Sequence, residues 1–480
     1  MNDDTSDLLH PEQVLDWVCH SIDALIKIAD RHDGLFPSAI DRDSLQMIDL
    51  LPDAIPGQRD GDRCHLGSNL IHDQTTLLTM YGLSEALGRP DYRRAADRYL
   101  SYFAQECTAT ETGLFPWGEH AFWHLSDQRV GSSSERLDSS AQGNAIHDHL
   151  RQVPVWLWEK LQEFNPECVQ RFADGLDYHW TRANRSEYIR HAHIERKQHL
   201  PSGARSCDFP RHGGFYLLDW AYAASQKGTC DRHEEITAIL DYWWDRRDER
   251  GLLLIESRSP LEDTNFYNVN APGQTLSLSA SILESIPLLT RNDPLLAREM
   301  KKRAETYVDG FFLAPHVPEE GVFAILSRRD DNLLTQSMPV WGSVYGVWPA
   351  SYPALTALCA YRILKDERLL NWVKAVGKCY IDTEMPQDVA IPAMDAGLGL
   401  GLLADLYDIM DDPVWRDGGM RLASRIMARY CDGVLPRGAA GVGWYESQMG
   451  PCFLIHGLSR MALLAQNRES CTLVADYTAR

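Results

Sequence analysis

The chain has 480 residues, is 44% hydrophobic and carries a formal net charge of -21. Its size suffices for two or three domains, or for one large toroid or barrel. The negative balance opposes long-range attraction to nucleic acid or anionic membranes, so an acidic substrate would need a local basic pocket. No apolar run reaches the roughly 18 residues that suggest a membrane span. The opening MNDDTSDLLHPEQ has neither a basic nor an apolar leader region, and the eleven cysteines form no CxxC pair. Both features lead to the expectation of a reduced, cytoplasmic protein, with residues 1–10 as a disordered N-terminus.

From residue 12 onwards the chain reads as helix after helix, because apolar residues recur at spacings of three and four. Residues 12–30, 91–106, 165–180, 231–249, 293–310, 367–383 and 413–430 are amphipathic and charged. They alternate with 70–86, 149–161, 213–225, 274–288, 352–364, 395–409 and 452–465, which are richer in small and apolar residues. Helices that are apolar nearly all round are buried, while amphipathic ones face water on one side. The expected fold is therefore all-α: one domain over 1–480, an (α/α) toroid of seven helical hairpins, an (α/α)7 barrel. An open solenoid is the rival. Aspartates at 91, 293, 366 and 412 stand where they can cap outer helices. The long polar loops 107–148, 181–212, 250–273 and 311–351 all run from an outer to an inner helix. They should gather on one rim and carry the chemistry.

Those loops hold a concentration of imidazoles. "WGEHAFWHL" (117–125), "HDHLRQVPVWLW" (147–158) and "SEYIRHAHIERKQH" (186–199) contain His120, His124, His147, His149, His191, His193 and His199. Converging imidazoles suit a divalent transition metal, but no local spacing is a strong signature, and satisfied loop histidines would look the same. Trp117, Phe122 and Trp123 can stack on sugar rings or fill the core. Asn69, His72 and Asp73 in "GSNLIHDQ" can line a cavity or cap the first inner helix. Arg211 in "FPRHGGF" is a candidate for binding a carboxylate. Tyr267 in "NFYNVNAPGQ" and Tyr445 with Glu446 in "GWYESQMG" also precede inner helices, where proton donors and sugar-binding groups would sit.

The segments WGEH (117–120), DHLR (148–151) and IRHA (189–192) resemble the Trp-Gly-Gly-His, His-Glu-Leu-Lys and Asn-Arg-His segments of polysaccharide lyase family 2, pectate lyases built on an (α/α)7 barrel. The resemblance implies metal ligands at His120, His149 and His191, typically for manganese, with zinc or nickel as alternatives. It implies Arg190 as the catalytic base. Read from the residues themselves, Tyr267 and Tyr445 are further catalytic candidates, and Trp117, Trp123, Arg211 and Glu446 substrate-binding ones. His149 stands where the family has glutamate; the neighbouring Asp148 offers a carboxylate instead, as a ligand or as a group orienting one. By its chemistry Arg190 suits a carboxylate clamp as well as a base.

The reading that follows is a metal-assisted lyase cleaving uronate-containing, oligogalacturonate-like chains by β-elimination. A glycoside hydrolase would need two carboxylates flanking the bond, with Glu119, Asp148, Glu262, Asp263 and Glu446 as candidates. A sugar epimerase using paired histidines and a helical-repeat binding protein are the remaining alternatives. The expected partner is an acidic oligosaccharide, with no nucleic acid and no membrane. The metal, the linkage and the oligomeric state stay open.

Overall fold

The computed structural model of the protein describes residues 9–181, 185–201, 207–226, 231–257 and 268–480. Within them the chain forms fourteen α-helices: α1 (Pro11–Ala29), α2 (Leu70–Ala86), α3 (Pro90–Tyr102), α4 (Val155–Phe164), α5 (Cys168–Gly175), α6 (Pro210–Ser225), α7 (His233–Trp244), α8 (Pro272–Leu289), α9 (Pro294–Leu313), α10 (Ser351–Leu364), α11 (Glu367–Asp382), α12 (Ala393–Met410), α13 (Pro413–Tyr430) and α14 (Pro451–Asn467). The even-numbered helices α2, α6, α8, α10, α12 and α14 bury most or nearly all of their residues. They adjoin in the order α6, α8, α10, α12, α14, α2. Most odd-numbered helices pack outside a neighbouring inner helix, and α1 closes the ring against α14. The architecture is thus an (α/α) barrel of helical hairpins.

Between α2 and α6 the ring departs from the expected pattern. A helix expected over 149–161 starts only at Val155, and α4 buries just Leu157, Trp158 and Leu161. Pro154 is the physical reason: it disfavours helical backbone at the residue before it, and it is itself extended as the N-cap of α4. The buried stretch 148–153 is therefore non-helical, with a bend at Leu150 and Arg151. It is held from α2, where the Gln74 side chain donates to the Gln152 carbonyl at 3.2 Å.

The close approach of inner helices depends on their small residues. A Cβ on Gly397 of α12 would lie 2.3 Å from the Leu454 backbone nitrogen of α14, so only glycine fits that crossing. Asp293, Asp366 and Asp412 cap α9, α11 and α13 by accepting first-turn amides. Asp91 does not cap; Pro90 already opens α3, and Asp91 pairs with Arg89 at 2.7 Å.

The long loops meet as small antiparallel sheets. β1 (Ala39–Asp41) pairs with β12 (Trp444–Glu446), joining the first loop of the chain to the last. β2 (Gly67–Ser68) and β4 (Arg129–Ser132) flank β3 (Ala121–His124). β5 (Ile146–His147) pairs with β6 (Ala192–His193), and β7 (Cys207–Asp208) with β8 (Glu256–Ser257). β9 (Val269–Asn270) and β11 (Leu334–Ser337) flank β10 (Ala324–Arg328).

The last residues of the sequence are an unforeseen part of the core. The Gln152 amide donates to the Thr478 carbonyl at 3.1 Å, Thr75 donates to Asp476, and Arg480 is buried against Glu284 and Gln152. At the other terminus, Leu9 and His10 are ordered: the Leu9 amide donates to Ser424 Oγ at 3.1 Å and His10 caps α1. The remainder of the expected disordered segment, residues 1–8, lies outside the described residues. No helix among the described residues is long and apolar enough to cross a membrane.

Candidate metal centre and cleft

Three rim segments bring His120, Asp148 and His191 together, each offering one donor atom within 4.8 Å of the others. The first segment is held by Asn69, the N-cap of α2, whose amide nitrogen donates to the Gly118 carbonyl at 2.8 Å. Gly118 has φ +97°, and a Cβ there would lie 2.0 Å from the Asp148 carbonyl oxygen. Glycine therefore allows the two motifs to touch. The third segment is brought in by β5–β6, which pairs His147 with Ala192.

A buried chain of hydrogen bonds sits behind the site. Trp117 Nε1 donates to His147 Nε2 at 3.1 Å. His147 Nδ1 then donates to His179 Nε2 at 2.9 Å, and His179 Nδ1 donates to the Ile189 carbonyl at 2.8 Å. With both imidazoles neutral, every ring nitrogen in this chain is satisfied. Burial pushes the His147 pKa well below the ordinary value and that of His179 down to about 3, consistent with neutral rings. The chain ends one residue before Arg190 and thereby anchors that segment.

His120 is turned edge-on to three carboxylates. Its Nδ1 lies 3.5 Å from Asp62 Oδ1, and its Nε2 lies 3.5 Å from Glu119 Oε2 and 4.0 Å from Asp148 Oδ2. Burial works against a charged imidazole, but Asp148, Asp62 and Glu119 outweigh it and raise the His120 pKa. Asp148 is pushed up to about 6, chiefly by burial. Burial, with Arg190 and His120 nearby, pushes His191 well below its ordinary range. The buried His191 Nε2 has no hydrogen-bond partner. Two imidazoles and a carboxylate form a donor set suited to a divalent transition metal, and an ion would supply the positive charge that these carboxylates draw to His120.

A cleft walled by Arg190, Phe209, Arg211, Trp348 and Tyr352 opens beside this cluster. Glu119, Tyr345, Trp348 and Tyr352 line both it and an adjoining cavity. The guanidinium carbons of Arg190 and Arg211 lie 4.9 and 5.6 Å from the Phe209 ring centre, and Arg211 also lies 5.4 Å from that of Trp348. Trp348 and Tyr352 stack at 5.0 Å with 12° between their planes. Arg59 Nη1 donates to the Tyr345 hydroxyl at 2.8 Å. Across the two cavities the described lining includes Arg59, Arg151, Arg190, Arg211 and Arg480, with Arg480 paired to Glu284, and among the described lining residues Glu119 is the one acidic side chain.

Several expected site residues lie elsewhere. His149 points away from the cluster: its Nε2 contacts Asp219 Oδ2 at 2.8 Å, among Trp117, Phe172 and Tyr216. Asp148 thus enters the site, while its non-helical neighbour His149 enters the core. Trp117 is fully buried against Phe103, Phe115, Trp158 and Phe172. Trp123 is also buried in the core. Glu446 is buried and bound to Arg63 at 2.6 Å, leaving it no role at a sugar. Tyr445 is likewise buried and lines neither cavity. His72 contacts Ser447 and Asp73 accepts from Tyr99, so both serve packing. Tyr267, Glu262 and Asp263 lie outside the described residues. The residues missed at the sequence level are Arg59, Asp62, Tyr345, Trp348 and Tyr352. For Tyr345, Trp348 and Tyr352 the available signal was the aromatic, glycine-bearing stretch WGSVYGVWPASY (341–352).

The site thus combines an (α/α) barrel rim with a histidine–carboxylate cluster and a basic, aromatic-walled cleft. Residues 53–200 match the family described as "Periplasmic pectate lyase". The matched stretch contains all three residues of the cluster. The family's periplasmic description overturns the expectation of a cytoplasmic protein. No curated protein matches the chain. Among solved structures, a sugar epimerase from a ruminal bacterium is similar at 11% identity and a TM-score of 0.48, covering 78% of this chain and 86% of its own. The unsaturated glucuronyl hydrolase of Bacillus sp. GL1 is similar at 11% identity and 0.47, covering 97% and 99%. A GH76 alpha-mannanase of Bacteroides thetaiotaomicron is similar at 11% identity and 0.45, covering 95% and 96%.

Proposed function

We propose that this carbohydrate-active enzyme is a metal-assisted lyase that cleaves uronate-containing oligosaccharides, of the oligogalacturonate type, by β-elimination. The observation that carries the reading is the convergence of His120, Asp148 and His191 at a cleft in which arginines far outnumber carboxylates. Those three residues would hold a divalent transition metal, manganese first, with zinc or nickel as alternatives. When bound, the ion would draw negative charge from the uronate carboxylate and acidify the adjacent C5–H, and its field would favour the neutral form of Arg190.

In the metal-free protein, burial lowers the Arg190 pKa, but Glu119 and Asp148 raise it further, so the net shift is upward. Positive charge at the cluster is therefore what the base role requires. Neutral Arg190 takes the C5 proton; the electrons of that bond form the C4–C5 double bond, and the C4–O4 bond breaks. Arg211, held over Phe209 and Trp348, orients the carboxylate through its forked donors. Tyr345, with its hydroxyl bound by Arg59, is the proposed proton donor to O4, in place of the buried Tyr445. Burial and the nearby Glu119 carboxylate push its pKa up to about 12, which keeps the proton in place at neutral pH. Trp348 and Tyr352 supply the sugar platform first sought at Trp117 and Trp123.

A glycoside hydrolase requires a pair of carboxylates flanking the bond, and Glu119 is the one carboxylate among the described lining residues. The discriminating experiment incubates the protein with oligogalacturonates and manganese, with and without chelator. The proposal expects manganese-dependent ultraviolet absorbance from unsaturated uronate ends. Saturated products alone would establish hydrolysis instead.

A further inference from the structure

We propose that Glu119 is a fourth ligand of the same ion, at the coordination position facing the cleft. This deepens the reading above and rests on it. Two donors each about 2.1 Å from one ion are separated by roughly 3.0 Å at a right angle and 3.4 Å at the tetrahedral angle. The 3.5 Å between Glu119 Oε2 and His120 Nε2 matches that spacing more closely than the 4.0 Å to Asp148 Oδ2.

The surroundings fix this geometry. Asp148 divides its carboxylate: Oδ1 accepts the Glu119 amide at 2.7 Å, while Oδ2 faces His120 Nε2. Asp62, whose oxygens are buried without a hydrogen-bond partner, stands on the Nδ1 side of His120. The imidazole therefore presents its other edge to Glu119 and Asp148, with a carboxylate behind it. Glu119 is only 8% exposed, yet it lines both cavities. A carboxylate so placed occupies the ion from the substrate side. An incoming uronate must displace it or bind next to it, which makes Glu119 an internal competitor that sets how tightly acidic sugars are held.

Calorimetric titration of manganese into metal-stripped wild type, Glu119→Gln, Glu119→Gly and Asp148→Asn tests this, followed by titration of galacturonate into each manganese-loaded protein. The expected result is manganese affinity at least about tenfold weaker in both Glu119 variants, with galacturonate binding tighter in Glu119→Gly than in wild type. Folding of each variant is checked by its circular dichroism melt, and Glu119→Gln supplies the isosteric control. Unchanged manganese affinity in both Glu119 variants, with loss in Asp148→Asn, overturns the fourth-ligand role alone. Failure of the wild type to bind manganese overturns this inference together with the metal-assisted reading.

Discussion

The amide of Glu119 donates to Asp148 Oδ1 at 2.7 Å, so one contact ties the first short motif to the second. Gly118 makes that contact possible, because its positive φ and its distance from the Asp148 carbonyl leave no room for a side chain. Gly118→Ala should destabilise the fold by more than about 1 kcal/mol from the backbone conformation alone. It should also weaken manganese binding. A thermal melt and a metal titration check both effects, and an unshifted melt with wild-type affinity would contradict this view of the junction.

Asp148 and His149 should separate cleanly on mutation. Asp148→Asn removes a metal donor and should weaken manganese binding by an order of magnitude or more, with a modest effect on stability. His149→Gln removes the imidazole bound to Asp219 Oδ2, leaving that carboxylate only its Trp158 bond on Oδ1, and should cost about 1–3 kcal/mol of stability, with metal stoichiometry unchanged. Urea unfolding and metal titration of the two variants decide the matter. The opposite pattern would restore His149 as the ligand.

Much of the fold was legible because helix periodicity survives in single segments, and the alternation of apolar and amphipathic helices already implies a double ring. The convergence of His120 and His191, and the place of Arg190 at the cleft, were legible through short motifs in the loops. The swap between Asp148 and His149 was not, since which of two adjacent residues faces the site depends on whether the chain there is helical. Pro154 held that information, because it argues against a helix beginning at residue 149. Trp117, Trp123, Tyr445 and Glu446 were misread for a different reason: aromatic and acidic residues look alike in sequence whether they line a cleft or pack behind it. The burial of Arg480 depends on contacts such as that with Gln152, which lies 328 residues earlier and leaves no local pattern.

The His147–His179 chain predicts a pH dependence of stability. Burial depresses both pKa values, that of His179 to about 3, below the ordinary histidine value of 6.5. The unfolded chain therefore binds more protons below pH 6.5. The contribution of these residues is fully present above that pH and is lost as the pH falls towards 3, at up to about 1.4 kcal/mol per pH unit for each histidine. Denaturant unfolding at pH 7, 6 and 5 should show this slope, and His179→Gln should reduce it. An equal slope in the variant would mean that other groups carry the effect.

Arg190 should reveal its role through kinetics. If it is the base, Arg190→Lys and Arg190→Ala should both lose several orders of magnitude in kcat, with small changes in KM. A carboxylate clamp would instead raise KM, with partial recovery in the lysine variant. Retention of full turnover by Arg190→Ala would remove it from the chemistry altogether.

The central claim is that one divalent ion sits among His120, Asp148 and His191. Anomalous X-ray diffraction from crystals of the intact protein soaked in manganese tests it most directly. One strong anomalous peak is expected about 2.0–2.3 Å from a donor atom of each of the three residues. A strong peak coordinated by other residues, or no peak at this cluster in manganese-saturated crystals, would contradict it.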